Sequence, residues 1–236
     1  MFNDKYSIGL EMFKSKHLIT LLVLTLVTVI TVFIARKIDK DSKQDKIIRY
    51  ILASSLLILE VTYHVWVISR GEYNLGMIPF TGFCALTNLL TIYYLYTNNE
   101  KIANMVFFYA LTGAFFSLIF IDTTYVFPHF RNVHYFYNHF VFLLSAIYSF
   151  VVGRVNMERK IFNKSTLYLI TYTLIILIFD LILKENWFYL FESPVKEISD
   201  FFGKVLYTPL WLLAIYLLMN IWYFLFKFLT KFRDKK

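Results

Sequence analysis

The run LITLLVLTLVTVITVFIA, residues 18–35, decides the fold class. It carries no charge, and at 1.5 Å per residue it reaches ~27 Å, close to the ~30 Å hydrocarbon core of a bilayer. Such a run reads as a spanning helix, because a chain in lipid must satisfy its own backbone N–H and C=O groups. Six further runs of the same kind follow, at 47–69, 77–97, 102–121, 133–153, 165–183 and 205–226. Spanning β-strands alternate apolar and polar residues over about ten positions, and these runs do not. The expected fold is therefore all-α: a polytopic bundle of seven transmembrane helices forming one integral membrane domain over residues 1–236.

Composition agrees. The chain is 58% hydrophobic and 17% charged, with a mean hydropathy of +0.58, whereas soluble domains run near 45–50% apolar and about 25% charged. The net charge of +8 comes from Lys and Arg flanking the apolar runs, so the expected partners are membrane lipids and not nucleic acid. The connections 36–46 and 154–164, the tail from 227 and Lys101 carry fifteen basic residues, against eight on the opposite set. The positive-inside rule then puts the N-terminus outside, the C-terminus in the cytoplasm and the protein in the cell membrane. The first run is too long for a signal-peptide core and has no small-residue cleavage site after it, so it is expected to stay in the mature protein. No internal repeat is visible, and the aromatic connection 184–204 is expected to lie on the outer interface.

A lone cysteine, Cys84, excludes an intrachain disulfide. There is no C-x-x-C, no H-E-x-x-H and no glycine-rich phosphate loop, so no cofactor is expected. The last run contains no lysine, which excludes a retinal protein. His64, His139 and a carboxylate lack short-range ligand spacing, and no metal is expected.

Ionisable groups at membrane depth are costly and mark candidate sites. Glu60 and His64 are four residues apart, on one helix face. Thr81, Cys84, Asn88 and Thr91 follow at steps of three and four, a stripe expected to face inward. His139 enters its span at about the depth of Cys84, and Asp122 and Asp180 lie near outer helix ends. These residues gather in the outer half of the bundle, where a polar pocket is expected; the inner half has Asn220 and Arg49, the latter expected to snorkel.

The run FPHFRNVHYFYNHF, residues 127–140, with the preceding DTTYV, resembles the signature region of the YwaF-like integral membrane proteins. ENWFYLFESP, residues 185–194, is similar to the outer loop before that family's last helix, and Ile78, Pro79 and Cys84 resemble its Leu-Pro…Cys element. Between Pro79 and Cys84 stand Phe80, Thr81, Gly82 and Phe83, where the family commonly has a histidine and one residue fewer. The family's bacterial members are relatives of an animal phospholipid acyltransferase that depends on cysteine. The resemblance therefore implies a bacterial plasma-membrane protein with a lipid acyl-transfer site. Cys84 would accept the acyl group, His139 or His64 would serve as base, and Glu60, Asn88, Asp122 and Asp180 would contact substrate. Two other classes stay open on the residues alone: a carrier or receptor for a small solute or lipid headgroup, and a scaffold whose polar groups only hold helices in register.

The orientation has a direct check. A cysteine introduced at Glu185 in a Cys84→Ala background should react with a membrane-impermeant maleimide on intact cells, and one introduced at Lys231 only after permeabilisation.

Overall fold

Apolar runs that satisfy their own backbone give seven α-helices in the computed structural model, which describes residues 10–123, 125–193 and 196–234, without the side chains of Lys196, Lys204 and Val205. Lys5, Thr124, Pro194, Lys235 and Lys236, used in the charge and motif readings, lie outside the described residues. The helices are α1 Ser15–Ala35, α2 Lys43–Ser69, α3 Phe83–Thr97, α4 Glu100–Ile119, α5 Phe130–Val151, α6 Arg159–Leu183 and α7 Lys196–Arg233, with a 3-10 turn at Leu75–Met77. Among the described residues there is no strand.

Among the described residues, five helices are long and apolar enough to cross a bilayer: α1, α2, α4, α6 and Leu206–Arg233 of α7. This is fewer than the seven expected, for two separate reasons. The expected third run breaks at its start, because Pro79 has no N–H and holds the residue before it out of the helical region. Ile78 is accordingly extended, at φ −62° and ψ 131°. Helix α3 begins only at Phe83 and has 15 residues, ~22 Å at helical rise. Thr81 therefore precedes the helix, and its hydroxyl donates to the carbonyls of Gly76 and Ile78, both at 2.9 Å. Helix α5 has the length, with 22 residues, but Arg131, Asn132, His134, Asn138 and His139 lower its hydropathy.

Helices α4 and α5 form the centre. They pack on each other, with α2 and α3 along one side, α6 and α7 against α4, and α1 against α5. Most of α5 is buried, whereas α1, α6 and α7 turn Ile19, Leu22, Phe33, Leu167, Ile178, Ile182, Ile221 and Phe224 outward. In lipid no hydrophobic force joins helices, so interdigitation and polar contacts must do it. Phe107 of α4 meets Phe226 of α7 edge-on, with ring centroids 4.9 Å apart, and Phe108 meets Phe162 of α6 at 5.1 Å.

The connection 184–204, expected on the outer interface, is partly folded into the bundle. Phe188 and Leu190 are buried, and a helix restarts at Lys196 and breaks at Gly203, where φ is 70° and ψ 157°. Positive φ there suits glycine.

The basic end is closed by an ion cluster. Arg154, after α5, donates to Asp45 of α2 at 2.7 and 3.2 Å, to Asp41 at 3.1 Å and to the Asn98 side chain at 2.8 Å. Asn98 ends α3 in the left-handed conformation, φ 59°, which asparagine tolerates. Tyr148 of α5 adds a hydrogen bond to Asp45 at 2.9 Å. Arg49, expected to snorkel, is buried instead: its Nε donates to Asp45 at 3.1 Å and its Nη1 to the Leu95 carbonyl at 2.5 Å. Paired in this way, the guanidinium has no need of water.

Asn98 and then Arg154 hold Asp41 below the usual carboxylate range. Asp41 therefore contributes stability above the unfolded carboxylate value near 3.9, and loses it as pH falls through its depressed folded value. Unfolding in detergent should show a midpoint that is flat near neutrality and drops steeply below about pH 4. Asp45→Asn, which leaves Arg154 and Arg49 unbalanced, should cost about 3–5 kcal/mol, and Asp41→Asn should remove that acid dependence.

Candidate functional site

A cavity of about 520 Å³ opens beside the short end of α3. Its walls come from α2, α3, α4, α5 and α7, and the segment Trp187–Tyr189 crosses it. Most of the lining is apolar, including Phe116, Phe142, Ile215 and Leu218, and the polar part falls into two groups.

The first group is built on Glu60. Its Oε1 lies 3.2 Å from His64 Nε2, one helical turn along α2. Its Oε2 accepts from the Asn88 amide of α3 and the Asn138 amide of α5, both at 3.0 Å. His134 Nε2 is 3.6 Å from the same oxygen. Arg131 can only donate, and its Nη1 stands 3.0 Å from His134 Nδ1. His134 Nε2 also stands 3.0 Å from the Asn138 amide nitrogen, closer than the Glu60 oxygen. Tyr63 stacks on His134 at 4.2 Å and lies 4.7 Å below the Arg131 guanidinium. Several donors from three helices thus converge on one carboxylate. The carbonyl oxygens of Asn88 and Asn138 and the hydroxyl of Thr112 are buried without a partner among the described residues.

The second group holds Cys84 and His139. The thiol is half-buried, with Sγ 3.6 Å from Ser117 Oγ of α4. His139 Nδ1 is 2.7 Å from the carbonyl of Tyr135. A carbonyl only accepts, so Nδ1 holds the proton and Nε2 the lone pair. Cys84 and His139 line the same cavity, but the hydrogen-bond partner of the thiol is Ser117 and not an imidazole.

The structure thus brings Glu60, Cys84, Asn88, Asp122 and His139 to one cavity. His64 stands behind Glu60 and does not line it. Asp180 lies outside: it is buried, and its Oδ1 accepts from the backbone N–H of Trp187 at 3.1 Å, anchoring the crossing segment. Asp122 anchors the same segment from the other side, accepting from the Tyr189 hydroxyl at 2.5 Å. The sequence reading did not single out Arg131, His134, Asn138, Tyr135 or Ser117. Arg131, His134 and Asn138 repeat the three-and-four spacing that marked α3, and that spacing was the signal available.

This fold and cavity define a multi-pass helical membrane protein with a mixed polar and apolar pocket inside the bundle. The chain belongs to the TMEM164 family, whose family model matches residues 12–226. No curated protein and no solved structure matches it.

Gly113 lets α3 and α4 approach at Cys84. A Cβ there would lie 2.6 and 2.8 Å from ring atoms of Phe83 and 3.4 Å from Cys84 Sγ. The Phe83 ring is itself held between Tyr109 and Phe188. Gly113→Ala should destabilise the bundle by about 1–3 kcal/mol through overpacking, read as a lowered thermal midpoint in detergent with Phe83→Leu partly restoring it.

Proposed function

We propose that the protein transfers acyl groups between membrane phospholipids, with Cys84 as the acyl carrier and His139 as the base. The observation that supports this reading is that a thiol and a histidine with its Nε2 lone pair line one largely apolar cavity. The cavity volume falls within the ~300–1,000 Å³ common for ligand sites. The YwaF-like resemblance points to the same chemistry.

In the first half-reaction the Cys84 thiol passes its proton to His139 Nε2 and the sulfur attacks the ester carbonyl of a donor phospholipid. A C–S bond forms and the ester C–O bond breaks, and the departing lysolipid oxygen takes the proton from His139. In the second half a lysolipid hydroxyl gives its proton to His139 and attacks the thioester, restoring the thiol. Glu60, Asn88 and Asp122 contact the polar part of the lipid. His64 acts through Glu60, and Asp180 through the crossing segment. In this reading all seven α-helices cross the membrane, α3 and α5 shielded by the others. The N-terminus is outside, and the cavity is in the outer half of the bacterial plasma membrane.

The Glu60 cluster, which acyl transfer does not require, favours a second reading, a carrier or receptor that uses the same cavity. One experiment separates the two. Protein in nanodiscs is incubated with a phospholipid bearing an alkyne-tagged acyl chain, and the adduct is tested with hydroxylamine. Acyl transfer predicts a hydroxylamine-labile label on wild type that Cys84→Ala abolishes and His139→Ala lowers by about 10²-fold or more. Equal labelling of Cys84→Ala would sink the covalent mechanism. Uptake of a solute without lipid turnover, lost in Glu60→Gln, would support the carrier.

A further inference from the structure

We propose that Ser117 is a positioning residue for the Cys84 thiol and that Tyr135 holds it in place; this rests on the acyl-transfer reading. Serines and threonines inside helices usually hydrogen-bond the carbonyl one turn back. Thr87, Ser145, Thr166 and Ser165 do so here. Ser117 makes no such bond among the described residues, and its hydroxyl faces Cys84 Sγ of the neighbouring helix at 3.6 Å. It is the thiol's sole hydrogen-bond partner among the described residues. Gly113, one turn earlier on the same face of α4, leaves room for the sulfur to approach.

Ser117 lies in the last turn of α4, where helix carbonyls have no amide partner within the helix. Its carbonyl accepts from the Tyr135 hydroxyl at 2.7 Å. The carbonyl of Leu118 takes His17 Nε2 at 2.8 Å, and the Asp122 N–H donates to the Tyr135 oxygen at 3.0 Å. The end of α4 is therefore tied to α5 and α1. The other end of Tyr135, its backbone carbonyl, orients His139. One residue thus sets both the serine that holds the thiol and the imidazole that faces the same cavity. A serine hydroxyl suits the role because it accepts from a thiol and, once the proton has left, turns to donate to the sulfur without moving a heavy atom.

The test uses the full chain in nanodiscs, with the alkyne-tagged phospholipid as donor at increasing mole fraction. Ser117→Ala should lower the maximal rate of hydroxylamine-labile labelling about tenfold, the order expected for one hydrogen bond to a charged sulfur, with the half-saturating donor fraction unchanged. Ser117→Thr should restore most of the rate, and Tyr135→Phe, which keeps the ring beside His139, should lower it as well. Wild-type rates in Ser117→Ala, or a Ser117→Thr rate as low as that of alanine, would overturn the proposal. Alkylation of Cys84 by N-ethylmaleimide reads the same arrangement without acyl transfer. If wild type takes no acyl label but Ser117→Ala alters the alkylation rate and Ser117→Thr restores it, the enzyme reading fails and the positioning stands. Identical alkylation rates in all variants overturn the positioning. Should Ser117→Ala not fold, Tyr135→Phe and Ser117→Thr carry the same comparison.

Discussion

Helix α5 cannot face hydrocarbon. It carries Arg131, Asn132, His134, Asn138, His139, Ser145 and Ser149 among its apolar residues, and polar side chains exposed to lipid are expensive. The solution is to place α5 at the centre, against α4 and with α1, α2 and α3 around it. The helices without such a burden, α1, α6 and α7, are then free to meet the acyl chains with their exposed apolar faces. What looks like a weak membrane segment by hydropathy is the one most thoroughly enclosed.

The register of α5 is fixed by polar contacts near both ends. Near one end Tyr148 bonds to the Asp45–Arg154 cluster, which also collects Asp41, Asn98 and Arg49. Toward the other end Asn138 and His134 reach Glu60, while Tyr135 reaches the last turn of α4. Such contacts act over a few ångströms and in defined directions, so a slide of one turn would break both sets. Between them the packing is aromatic and aliphatic. The cavity lies at the start of α3, beside the non-helical stretch around Pro79, and is lined by the Trp187–Tyr189 segment, itself hung from Asp180 and Asp122.

Part of this was legible in the order of residues. Glu60 and His64 meet at helical spacing as expected, since a helix places i and i+4 together whatever surrounds it. The inward stripe of α3 holds for Cys84, Asn88 and Thr91; Thr81 is buried as well, but in the turn that precedes the helix. Arg49 and Asp180 misled for a common reason. Each read as an isolated charge near a helix end, but Arg49 pairs with Asp45 one turn back and with a carbonyl 46 residues away, and Asp180 with the backbone of a following loop. His134 was passed over in favour of His139, because nothing on α5 alone says that Glu60 stands opposite.

Length, apolarity and local spacing are properties of consecutive residues, and they determined that the chain is a helical membrane protein with its ionisable groups in a few defined helix turns. Which of those groups share a cavity, and that the thiol's neighbour is Ser117, was decided only in three dimensions. Such contacts join residues from 28 to 78 positions apart in the chain, and short-range order along a polypeptide holds no information about the angle at which one helix crosses another.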